Sequence, residues 1–122
     1  MRFDRLDIAT SDLADAMSVY QNNFGFIPTR AADADEASIT LGDAQLRLRS
    51  GPAVADLISS SGEGLAAVWL EADDIAELAK TLEQAGVAAS PLRVEGGRRI
   101  LAVEPKSANM VPLFIFDQKD EE

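Results

Sequence analysis

The 122-residue chain contains no histidine and no cysteine. Without histidine it lacks the commonest general base and the commonest transition-metal ligand. Serine–histidine hydrolysis and histidine-held zinc, iron or nickel are therefore excluded. Without cysteine there are no disulfides and no thiol chemistry. Aromatic residues are sparse, with a single tryptophan, Trp69. No apolar run approaches the roughly 20 residues that a membrane-spanning helix needs. The first ten residues carry Arg2, Asp4, Arg5 and Asp7 where a secretory leader would carry an apolar core. A cytoplasmic location is expected.

Positive charge is scarce as well. Eleven Lys and Arg face 21 Asp and Glu, a net charge of −10. Such a surface repels phosphate backbones and anionic lipid, so neither a nucleic-acid nor a membrane partner is expected. What the chain does have is 47% hydrophobic residues, enough for one domain over 1–122 with its own core. The acidic end, 117–122, "DQKDEE", reads as a frayed tail.

An internal repeat organises the rest. "LDIATSDLADAMSVYQNNFGF" from Leu6 and "VWLEADDIAELAKTLEQAGV" from Val68 follow one plan: alternating strand, acidic cap, amphipathic helix, glycine. Leu6, Ile8, Asp12 and Leu13 match Val68, Leu70, Asp74 and Ile75 at a constant offset of 62. The chain thus reads as one duplicated module, 1–50 and 65–116, joined by a linker at 51–64 with a short helical turn at Ala53–Ile58.

The first helix is predicted over about Asp12–Asn22, capped by Ser11 and stopped by Gly25, with Leu13, Ala16, Met17, Tyr20 and Phe24 inward. The second is predicted over about Asp74–Ala85, with Ile75, Leu78, Ala79 and Leu82 inward and Gly86 as its stop. "ASITL" and "QLRLR" form a hairpin about Gly42-Asp43. Gly96-Gly97 turns a second hairpin, and "VPLFIF" is the last strand. Each half is then β-α-β-β-β, an α+β architecture.

These stretches, together with the ending "GGRRILAVEPKSANMVPLFIF", resemble the vicinal oxygen chelate superfamily: glyoxalase I, bleomycin-resistance proteins, extradiol dioxygenases and methylmalonyl-CoA epimerase. The ending, where a Pro-Lys-Ser turn leads into the last strand, looks like that of the epimerases. The resemblance implies a cup of curved sheets, commonly built or completed across a homodimer. It also implies metal ligands on the first and last strands of each module. Carried over by position, those places fall on Arg5, Arg47, Ala67 and Phe114, with Pro112 or Phe116 as alternatives to the last. None of Arg5, Arg47, Ala67 and Phe114 binds a metal, so no metal and no other cofactor is expected.

Strand alternation puts Phe3, Arg5, Asp7 and Ala9 on one face with Gln45, Arg47 and Arg49. In the second module it puts Ala67, Trp69 and Glu71 on one face with Pro112, Phe114 and Phe116. Leu6, Ile8, Leu46, Leu48, Val68, Leu70, Leu113 and Ile115 lie beneath the helices. The candidate ligand-binding set is Arg5, Asp7, Arg47, Trp69, Glu71 and Phe114. Guanidinium groups hold carboxylate or phosphate bidentately, and the aromatics offer a stacking wall. In the competing arrangement Arg5 and Arg47 pair with Asp7 and Glu71 and close the cup.

Glu71 beside Trp69 is a weak candidate base; its plainer role is a salt-bridged or solvated carboxylate. Asp73-Asp74 reads as helix capping, "DADEA" near Asp33 as a solvated loop, and "GEG" and "EGG" as turns. The function expected is binding or sequestering a small organic molecule without metal. The alternatives are a metal-independent lyase or isomerase acting on a small acidic or acyl substrate, and an interaction protein with a closed cup.

Overall fold

The structure, a computed structural model, describes residues 1–32, 35–108 and 110–118. The acidic loop expected near Asp33 falls partly outside the described residues, at 33–34, and so does the end of the tail, 119–122. The chain divides into two compact units, one of Arg5–Ala66 and one of Met1–Asp4 with the chain from Ala67 onward.

In the Arg5–Ala66 unit, strand β1 (Arg2–Ala9) leads into helix α1 (Leu13–Phe24), then β2 (Thr29–Arg30), β3 (Glu36–Leu41), β4 (Ala44–Arg49) and α2 (Pro52–Ser61). The strands lie in the order β2-β3-β4-β1. β4 is antiparallel to β3 and parallel to β1, with Leu6 opposite Leu46 and Ile8 opposite Leu48. This register puts every second residue beneath α1. The buried cluster there is Leu13, Ala37, Ile39, Leu46 and Leu48, with Leu6, Ile8, Ala16, Met17 and Tyr20 packed against it. Each fully buried aliphatic side chain contributes about 1.5–3 kcal/mol.

The second unit repeats the plan. β5 (Gly64–Glu71) leads to α3 (Ile75–Gln84), β6 (Arg93–Glu95), β7 (Arg98–Val103), a 3-10 turn at Pro105–Ala108 and β8 (Leu113–Asp117). Its strand order is β5-β8-β7-β6, with β5 parallel to β8. Ala72, Ile75, Leu101, Val103 and Ile115 form its core, and Leu70, Leu78, Ala79, Leu82 and Leu113 pack against it. Both helices start from an aspartate in nearly the same extended conformation, Asp12 at φ −141, ψ 99 and Asp74 at φ −146, ψ 100. Each carboxylate accepts backbone N–H groups of the first turn, which is the capping expected of the Asp73-Asp74 pair. Among the described residues no helix is long and apolar enough to cross a membrane.

Four local expectations change. Asp117, expected to open the frayed tail, closes β8 instead and is buried, because Arg99 and the Ile75 N–H hold its carboxylate. The cap of α1 is Asp12, one residue after Ser11: its carboxylate accepts the Asp15 N–H, while its own N–H donates to the Thr10 hydroxyl. Phe24 is 61% exposed, while Phe26 packs on the core in its place. Gly25, at φ 73, ends the helix and shifts the phase of the chain that follows. The linker holds a ten-residue helix, α2, rather than a short turn, and Pro52 starts it. A first-turn proline gives up an N–H that no helix would use.

Gly51, just before Pro52, sits at φ 80, ψ −165, a region that only glycine occupies readily. A Cβ there would also lie 2.5 Å from Oδ2 of Asp35. Gly51→Ala is expected to lower the unfolding free energy by about 1–3 kcal/mol, read by urea denaturation. A loss well below that range would show that the α2 junction adapts freely.

At the other end of the same unit, Glu63 grips the corner between β1 and α1. Its Oε1 accepts the Thr10 hydroxyl and the Ser11 N–H, each at 3.0 Å. The Ser11 N–H first, then the Thr10 and Ser11 hydroxyls, hold the Glu63 pKa below its ordinary 4.5. A depressed folded-state value means that ionised Glu63 adds stability above pH 4.5, lost as pH falls through the folded value. Carboxyl NMR titration is expected to place the Glu63 midpoint below 4.5. Glu63→Gln is expected to flatten that part of the acid limb, and a midpoint at or above the ordinary value would contradict the anchoring.

Candidate functional site

Two faces, one in each unit, carry the residues that alternation turns away from the helices. In the Arg5–Ala66 unit the parallel register makes Asp7 and Arg47 direct neighbours on β1 and β4. The Arg47 guanidinium donates through Nε to Asp7 Oδ1 at 2.9 Å and through Nη2 to Oδ2 at 2.7 Å. Two more arginines approach the same carboxylate, Arg5 Nε at 3.5 Å and Arg49 Nη1 at 3.8 Å. Glu36 Oε2 lies 3.4 Å from Arg47 Nε.

Asp7 is 1% exposed. Removing a carboxylate from water costs several kcal/mol unless opposite charge compensates it. The guanidinium groups provide that compensation. Arg49 is the outermost of the three, with its side chain 33% exposed, and it is the one best placed to meet a molecule from solution.

In the second unit the equivalent place is apolar. Trp69 is the repeat mate of Asp7, and its neighbour on the parallel strand is Phe114. Their rings stack with centroids 4.8 Å apart and planes 17° apart. Phe116 meets Trp69 edge-on, with centroids 6.2 Å apart. The Arg98 guanidinium covers the Phe116 ring 4.6 Å from its centroid. A bidentate ion pair in one unit is thus replaced by a flat aromatic pair in the other. Glu71 forms an ion pair with Arg2; of the competing pairing read from the sequence, the Asp7 half is present, with Arg5 and Arg47.

The candidate residues therefore fall into two groups: Arg5, Asp7 and Arg47 together in one unit, Trp69, Glu71 and Phe114 in the other. Sequence reasoning did not single out Glu36, Arg2 or Arg98. Glu36 was hidden because β3 begins one residue before the alternating "ASITL" run. Arg2 and Arg98 open their strands, where periodicity carries least information. A further pair, Arg99 with Asp117, lies on the opposite side of its sheet and belongs to the scaffold of α3.

A family model, the Glyoxalase/Bleomycin resistance protein/Dioxygenase superfamily, matches residues 2–113. The chain belongs to this superfamily. A search of curated proteins gives no match. Among solved structures the chain resembles methylmalonyl-CoA epimerase from Mycobacterium tuberculosis, at 22% identity over 97% of this chain and 88% of that one, with a TM-score of 0.75. It also resembles a Streptomyces coelicolor methylmalonyl-CoA epimerase variant in complex with 2-nitronate-propionyl-CoA, at 22% identity over 100% and 97% of the two chains, TM-score 0.75. A hypothetical protein from Bacillus halodurans C-125 superposes with a TM-score of 0.79 at 17% identity, over 99% and 96%. These likenesses establish the shared α+β fold.

The superfamily's metal finds no matching donors at the places assigned to it by position. Arg5 and Arg47 present cations, Ala67 a methyl group and Phe114 a phenyl ring. Arg47 is itself committed to Asp7. Among the described residues no three His, Cys, Asp or Glu side chains gather closely enough to hold an ion. At those four places the residues present do not fit the group.

Proposed function

We propose that this chain is a superfamily member that binds a small organic anion, without a metal, on the arginine-bearing face of β1 and β4. The observation that carries the reading is the cluster itself: Arg5, Arg47 and Arg49 gathered round the buried carboxylate of Asp7. A chain of net charge −10 has few cations to place, and three converge on one face, two of them, Arg5 and Arg47, at places where the resemblance puts metal ligands. Guanidinium groups recognise carboxylate and phosphate through paired hydrogen bonds and stay charged when partly desolvated. The epimerase relatives in complex with acyl-CoA compounds make acyl thioesters and small dicarboxylic acids the first ligands to test.

Binding is preferred over lyase or isomerase chemistry for a specific reason. Asp7, Glu36 and Glu71 are each engaged by an arginine, and a carboxylate so held is poorly placed to take a proton from a ligand.

A thermal-shift panel tests the reading. It comprises malonate, succinate, aromatic acids, methylmalonyl-CoA, Ni²⁺ and Zn²⁺, with the acids measured in a chelator. At least one acid is expected to raise the melting temperature. Arg49→Ala is expected to weaken that ligand about tenfold or more, the scale of one hydrogen bond to a charged group. Stabilisation by Ni²⁺ or Zn²⁺ with no response to any acid would overturn it.

A further inference from the structure

A separate groove lies wholly within the Arg5–Ala66 unit, between α1, the end of β1 and the start of β5. It encloses about 500 Å³, within the size range of small-molecule sites. Its wall is largely apolar, with Ile8 from β1 and Val19, Tyr20 and Phe24 from one side of α1. Val19 and Phe24 are exposed, although Tyr20 on the same helix packs on the core. Two carboxylates complete the lining, Asp15 and Glu63, and no lysine or arginine contributes to it.

Glu63 is not an ordinary surface carboxylate. Thr10 and Ser11 both donate to its Oε1, which fixes the plane of the group. The Ser11 hydroxyl lies against the same carboxylate. A long side chain normally loses rotamer freedom when it meets a ligand, and here the anchoring has already removed much of it. The same two anchors keep the group ionised to lower pH than usual.

We propose that this groove is a binding site for a small organic cation: a protonated primary amine carried on an apolar body. The ammonium meets the carboxylate of Glu63, with Asp15 adding to the field, and the body lies along Val19 and Phe24. An anion of the same shape is repelled by two carboxylates and by the net charge of the chain. A neutral analogue gains the apolar wall and loses the ion pair. The site is independent of the arginine-bearing face, so either reading can fail without the other.

The test uses hexylamine, hexan-1-ol and hexanoate at pH 7, titrated into the full chain and followed by amide NMR. Hexylamine is expected to give saturable shifts at Thr10, Val19 and Phe24 and to bind about tenfold or more tighter than hexanol. Hexanoate is expected to leave these amides unmoved. Glu63→Gln keeps an oxygen for Thr10 and Ser11 while removing the charge, and it should bring hexylamine down to the level of hexanol. Val19→Ser, at an exposed position, should weaken both. Equal binding of amine and alcohol, an unchanged affinity in Glu63→Gln, shifts mapping elsewhere, or no saturable shift at all would each overturn the proposal.

Discussion

Replacing Asp117 by alanine is expected to lower the unfolding free energy by about 3–5 kcal/mol, the range for stripping one partner from a buried ion pair. The carboxylate is 1% exposed at the end of β8. It takes two hydrogen bonds from Arg99, at 2.9 and 2.6 Å, and a third from the Ile75 N–H at 2.8 Å. Arg99 also lies 3.7 Å from Asp74, the cap of α3. One side chain therefore ties two strands to the first turn of the helix. Its removal strips the Arg99 guanidinium of its bidentate partner and the Ile75 N–H of its side-chain acceptor. Guanidinium chloride denaturation measures the loss. The double variant Asp117→Ala, Arg99→Met is expected to cost less than the sum of its parts, because no uncompensated charge remains. A loss below about 1 kcal/mol for Asp117→Ala would show the pair to be ordinary surface electrostatics.

Asp7→Ala should cost about as much, 3–5 kcal/mol, for the mirror reason. The carboxylate neutralises the inner ends of Arg5, Arg47 and Arg49, and without it the guanidinium groups repel one another in a partly dry setting. This variant has a second readout. The space left by the side chain is lined by cations, so formate or acetate in solution should restore part of the loss, and more than either anion stabilises the unaltered protein. Rescue by a carboxylate but not by a neutral amide of the same size identifies the seat as an anion site. A stable Asp7→Ala indifferent to added formate would remove the electrostatic reason for three arginines on this face.

Much of this scaffold is legible in the sequence, because short-range rules govern it. Period-two alternation in "LDIA", "QLRLR" and "VPLFIF" places Leu6, Leu46 and Leu113 beneath the helices, and the packed clusters agree. The repeated aspartates, Asp12 and Asp74, mark both helix starts. Misreadings arise where a tertiary partner decides. Helical spacing counts Phe24 as inward, yet the left-handed turn at Gly25 lets Phe26 take the core position. Pro52 and its glycine neighbour look like linker punctuation, and the same residues start α2.

The candidate site divides along the same line. Alternation alone groups Arg5, Asp7 and Arg47 on one face. Which arginine takes Asp7 bidentately depends on the parallel register of β1 and β4, which no local pattern encodes. Glu71 finds Arg2, 69 positions away, and Glu63 in the "GEG" turn finds Thr10, 53 away. Long-range pairings of this kind are set by the fold, and the residues themselves carry no mark of them.

The most direct test follows the Nε–Hε resonances of Arg47 and Arg49 by NMR while malonate or methylmalonyl-CoA is added in the presence of a chelator. A saturable shift of the Arg49 signal, with Arg47 moving alongside it and with no metal required, is the predicted result. Arginine signals that stay fixed with every acid, while Ni²⁺ or Zn²⁺ alone raises the melting temperature, would contradict an anion seat on this face.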